Sequence, residues 1–169
     1  MASLKGRDYI ETQDFTLDEI KELLAKADDL KARYHRGEPT ILLPHQTVFL
    51  LFFDKSTRTR NAFEAGATQL GAHAHYLDSN VTQLSHGETA YDTGKILGSM
   101  GHGIAIRHDL IIDEGNRFMR GVAESADVPV INLQCDVDHP TQTLADIMTI
   151  RERFGADLRG RKIAVSWAY

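Results

Sequence analysis

The 169-residue chain carries 42% hydrophobic and 25% charged residues, enough apolar material for one full core of ordinary globular kind. A formal net charge of -5, with no basic stripe to release counterions from a polyanion, argues against nucleic acid as a partner. The single cysteine, Cys135, excludes a disulfide framework, and the N-terminal MASLKGRDYIETQ has no apolar leader core; no run approaches a membrane span, and together these features predict a cytoplasmic protein.

Leu17, Ile20, Leu24, Ala27, Leu30 and Tyr34 recur at three-to-four spacing in FTLDEIKELLAKADDLKARYHRG, which predicts an amphipathic first helix. Thr16 with Glu19 three residues on forms a capping box, and Gly37 marks the stop. TVFLLFF follows, an all-apolar β-branched and aromatic run that fits a strand covered on both faces. A helix over about 57–70 and a strand at AHAHYL come next. The alternation continues as helix ETAYDTGKILGSM, strand GIAIR, helix EGNRFMRGVAESA, strand VPVINL, helix TQTLADIMTIRERFG and strand RKIAVSW. Strands alternating with helices of this length need crossover connections, so the predicted fold is α/β, three-layer αβα around a central parallel sheet. The last apolar run would be a strand without its next helix, an exposed edge. The expected organisation is a domain over residues 1–154 and the start of a second at 155–169, the front part of a longer protein.

Ligands gather at the carboxyl ends of parallel strands, and four polar clusters fall there: DKSTRTR, DSNVTQLSHGE, RHD and DVDHPTQ. With Ser56 near a helix N-cap, the amides of Thr57, Arg58 and Thr59 point outward with the positive end of the helix dipole behind them. Three hydroxyls and the planar Arg58 fork add donors, making a phosphate seat without a glycine-rich loop. From this pentapeptide alone, a capped helix followed by solvated arginines reads equally well. Arg60 is expected to pair with Glu64 one turn on. Arg107 ends an apolar strand, where most arginines are surface charges, yet here it would lie beside the seat. Pro140 suits a first helical turn, which places His139 and Gln142 at another helix start, able to hydrogen-bond one small ligand or merely to cap. His73 and His75 share a strand face but lack a third metal ligand, and Cys135 is expected to be a buried small hydrophobe.

Taken together, these residues resemble the aspartate/ornithine carbamoyltransferase family, specifically its carbamoyl-phosphate-binding half. FFDKSTRTR, GETAYDT, IRHD and HPTQTLADIMTI stand in that family's order and spacing, and the resemblance runs from the first helix to about Arg153. It implies that Ser56, Thr57, Arg58 and Thr59 hold the phosphate of carbamoyl phosphate. It further implies that Thr59, Arg107 and His139 polarise the carbamoyl carbonyl while Gln142 contacts the carbamoyl nitrogen. Arg58, Thr59, Arg107 and His139 would be the catalytic set, with neither metal nor cofactor. A homotrimer, or a dimer of trimers, is implied, with Gln83 and His86 of the NVTQLSHGET loop visiting the neighbouring subunit's site. The second substrate would be an amine-bearing small molecule, selected mainly by the second domain. Trp167-Ala168-Tyr169 departs from the Gly-Asp continuation of aspartate- and ornithine-type members and resembles the knotted branch, which includes acetylornithine- and succinylornithine-type enzymes. A catalytically silent carbamoyl-phosphate-binding protein stays open. So does an unrelated phosphate-binding α/β domain, although neither GxxxxGK[ST] nor GxGxxG occurs.

Overall fold

The computed structural model describes residues 4–166. Its strands are β1 (Thr47–Phe52), β2 (His73–Asp78), β3 (Gly103–His108) and β4 (Val130–Cys135). The helices are α1 (Leu17–His35), α2 (Arg58–Gln69), α3 (Ala90–Met100), α4 (Gly115–Ser125) and α5 (Pro140–Phe154). The strands pair in parallel in the order β2-β1-β3-β4, so every connection crosses over through a helix. A three-layer αβα fold with a four-stranded parallel sheet is therefore established, as the alternation of periods predicted.

The pleat sends successive β1 side chains to opposite faces. Leu51, Ile104, Ile106 and Val130 meet Met119 and Val122 of α4, with Leu97 of α3 packed alongside. Leu50, Phe52, Ala105 and Leu133 form the other face, against Phe63 of α2. α1 lies outside this layer and packs on α5, where Lys31–Glu152 and Arg151–Asp28 ion pairs bridge the two helices. The Thr16–Glu19 capping box forms at the start of α1. Tyr9 bridges to Ile131: its amide donates to the Val130 carbonyl at 2.8 Å and its carbonyl accepts from Asn132 at 2.8 Å. That short segment covers the otherwise open edge of β4.

Residues 161–166 form no strand, contrary to the expectation for RKIAVSW. An isolated apolar run gains no ladder hydrogen bonds, and no neighbouring strand among the described residues offers any. Trp167 and Tyr169 lie outside the described residues. No described helix is long and apolar enough to cross a membrane.

Candidate functional site

β1, β3 and β4 end side by side, and the segments that follow them enclose a cleft of about 530 Å³. Arg58 and Thr59 of α2, Arg107 of β3, Gln134 of β4, and His139 and Gln142 at the start of α5 line it. Of the residues singled out from the sequence, five thus meet in one cavity, and Ser56 joins them through Arg107. Thr57 is exposed and does not line the cleft. Gln83 and His86 sit on an exposed 3-10 turn (Gln83–His86) and do not line it either.

The start of α2 differs from expectation by one residue. Thr57, with helical φ of -84°, is the N-cap, and its side chain caps nothing. The first bond back into the turn runs from the Asn61 amide to the Thr57 carbonyl, leaving the preceding amides without an intrahelical acceptor. α1 and α3, by contrast, are capped by Thr16 and Thr89. Arg60 bonds Glu64 at 2.8 Å as expected and also lies 3.5 Å over the Tyr76 ring, so it holds α2 against β2.

Arg107 is not a solvated strand-end charge. Its Nε and Nη2 donate to the Asp109 carboxylate at 3.2 and 2.8 Å, while Nη1 donates to the hydroxyls of Thr59 at 3.2 Å and Ser56 at 3.4 Å. The Arg107 and Asp109 side chains are 16% and 17% exposed, so this pair is screened far less than a surface bridge. The end of β3 is in turn tied to β1 by the Phe53 amide, which donates to the Arg107 carbonyl, and by stacking of Phe53 on His108.

The loop carrying His139 is folded around Cys135. The Cys135 amide donates to the Asp138 carbonyl at 2.9 Å, and its Sγ accepts from the Val137 and Asp138 amides at 3.4 Å. Buried Asn132 adds Nδ2 bonds to Cys135 Sγ, the Asp138 carbonyl and the Ile10 carbonyl. Cys135 is therefore buried, as expected, but works as a hydrogen-bond hub as well as a small apolar group. Gln142 reaches the cleft while its Nε2 donates to Asp146 at 2.8 Å. Asp109 and Gln134 were not singled out from the sequence. Asp109 stands two residues after Arg107, a spacing that puts both on one side of an extended chain, and this was the available signal.

His139 Nδ1 is buried without a partner, which favours the tautomer carrying its proton on Nε2. Burial, reinforced by the Arg107 charge, holds the His139 imidazole below the ordinary histidine value. Burial also lowers His108. Below the ordinary value of about 6.5, the unfolded chain takes up protons that these folded imidazoles refuse. Stability is accordingly expected to fall as pH drops below that value, until the lowered folded values are reached. These two groups contribute no slope above it. Urea midpoints at pH 7.5 and 5.5 check this, and His139→Gln should flatten part of the fall; an unchanged slope contradicts the neutral, buried assignment.

A family model described as the carbamoyl-P binding domain of aspartate/ornithine carbamoyltransferase matches residues 7–152. The chain belongs to the aspartate/ornithine carbamoyltransferase family. Among members of this family, ornithine carbamoyltransferase of Carboxydothermus hydrogenoformans is 41% identical over 164 residues, covering 97% of this chain and 51% of the relative. YgeW of Escherichia coli strain K12, a carbamoyltransferase by name, is 36% identical over 179 residues, covering 98% and 45%. The structure of ornithine carbamoyltransferase from Pyrococcus furiosus superposes with a TM-score of 0.84 at 39% identity, covering 92% of this chain and 48% of that one. Aspartate transcarbamoylase from Trypanosoma cruzi in complex with carbamoyl phosphate superposes with a TM-score of 0.80 at 28% identity, covering 92% and 49%. The chain spans about half the length of the curated carbamoyltransferases it matches.

Proposed function

We propose that the cleft binds carbamoyl phosphate and supplies one side of a carbamoyltransferase active site. An amine nitrogen attacks the carbamoyl carbon, the bond to the phosphate oxygen breaks, phosphate departs with the electron pair, and the amine gives up a proton. The α2 amides, Ser56, Thr57, Arg58 and Thr59 hold the phosphate, with Thr57 contributing from the N-cap of α2. Thr59, Arg107 and His139 face the carbamoyl oxygen, and Gln142 the carbamoyl nitrogen. Negative charge grows on both oxygens in the transition state, and donors already aimed there need no reorganisation. This chemistry requires no covalent intermediate and no cofactor. The observation that carries the reading is the convergence of Arg58, Thr59, Arg107 and His139 on one cavity within a chain of this family. The Trypanosoma cruzi relative, with carbamoyl phosphate bound, gives it further support.

In this reading an amino-acid-binding domain begins at residue 155, and the protein works as a trimer. Exposed Gln83 and His86, away from their own cleft, then reach a neighbour's. The acceptor is an amino acid or related amine, and the Trp167-Ala168-Tyr169 sequence favours one of the knotted-branch type over aspartate or ornithine.

Calorimetry tests the central claim. Carbamoyl phosphate should bind and ATP and NAD should not; nucleotide binding in its place would overturn the reading. Turnover by the intact protein across a panel of amino acids, diamines and N-acylated ornithines identifies the acceptor. Binding without turnover on every acceptor would favour a silent binding protein.

A further inference from the structure

Arg107 carries five N–H donors in a fixed planar fork. The Asp109 carboxylate takes the Nε–H and one Nη2–H side-on, at 3.2 and 2.8 Å. The Nη1 hydrogens run to Thr59 Oγ1 and Ser56 Oγ at 3.2 and 3.4 Å. Each of those hydroxyls thus spends a lone pair on Arg107, and its own hydrogen must point away from the guanidinium. A hydroxyl can accept or donate, and an anion needs donors. The side-on ion pair fixes the plane of the fork, the fork engages the oxygens of Ser56 and Thr59, and both hydroxyl hydrogens are left for a ligand.

We propose that Asp109 is a positioning residue that sets Arg107, and through it Ser56 and Thr59, as a preformed donor array around the carbamoyl and phosphate oxygens; this rests on the reading that the cleft takes carbamoyl phosphate. Asp109 touches neither reacting atom. It costs the site some attraction for a dianion, since a carboxylate lies close by, and that cost distinguishes positioning from plain binding. Removing the charge while keeping the shape should leave ligand affinity equal or higher, yet loosen the fork and weaken polarisation of the carbonyl. Structural damage would instead lower affinity.

The test compares the intact wild type with Asp109→Asn and Asp109→Glu, using 13C-carbamoyl-labelled carbamoyl phosphate. Calorimetry gives affinity, and isotope-edited infrared spectroscopy gives the carbonyl stretch of the bound ligand. The wild type should show the stretch shifted to lower frequency on binding. Asp109→Asn should bind at least as tightly but lose half or more of that shift, and Asp109→Glu, which keeps the charge, should recover much of it. A misplaced donor set can lower rate about a hundredfold, so turnover of Asp109→Asn should fall by tens of times without a rise in KM for carbamoyl phosphate. A full shift retained in Asp109→Asn, or a loss accompanied by weaker binding, overturns the positioning role while leaving the carbamoyl phosphate site in place. A wild type that binds no carbamoyl phosphate overturns both.

Discussion

Replacing Arg58 by alanine lowers turnover of the intact protein by about a hundredfold or more and leaves its unfolding midpoint unchanged. Arg58 is exposed at the start of α2, lines the cleft, and makes no ion pair among the described residues. Its guanidinium therefore contributes little to the fold, so the loss should be confined to activity. A missing donor on a developing anion costs roughly 3 kcal/mol of barrier. Because phosphate carries charge before and after the bond breaks, KM for carbamoyl phosphate should rise as well. Steady-state kinetics beside a thermal melt check both halves. Near-wild-type kinetics would remove Arg58 from the site, and a collapsed melt would show that its role is structural.

The largest stability loss is expected at Gly115, where α4 begins. A Cβ there would lie 1.9 Å from the His108 carbonyl oxygen and 2.8 Å from Asp136 Oδ1. Neither can yield cheaply. The carbonyl belongs to the last residue of β3, next to Arg107, and Asp136 Oδ1 and Oδ2 accept from the Asn116 and Asp113 amides at 2.9 Å. Gly115→Ala must therefore push α4 off the end of β3, at a cost of about 3 kcal/mol, the upper end of ordinary overpacking. In a chain of this size that lowers Tm by about 6–12 °C. Gly66, mid-way along α2, meets nothing within 4 Å, so Gly66→Ala should leave stability unchanged or raise it by about 0.5 kcal/mol. Equal melts for the two variants would contradict the close approach of α4 to β3.

Most of the fold was legible because its signals are local. The three-to-four spacing of α1, the continuous apolar run of β1 and the repeated strand–helix alternation each act within a few residues. Boundaries moved where a tertiary partner intervened: β3 and β4 extend to His108 and Cys135 because they pair with each other there. Residues 161–166 form no strand for the opposite reason, since their apolar pattern had no ladder to join among the described residues. The Arg60–Glu64 pair was readable from helical spacing, whereas the Arg60–Tyr76 contact depends on how α2 lies on β2.

Family, fold class and the identity of half the cleft residues were determined by the amino-acid sequence alone, because they rest on residue type, period and order along the chain. Only the tertiary structure decided how those residues behave together. It converted Arg107 from a strand-end charge into a clamped fork between Asp109 and two hydroxyls, left Thr57 outside the cleft lining, and tied the Cys135 hub through Asn132 to the Ile10 carbonyl. The physical reason is range. Periodicity is a property of neighbours in sequence, but which distant groups a donor meets, as Arg107 meets Ser56 and Thr59 some fifty residues earlier, is set only when the parallel strands align their ends.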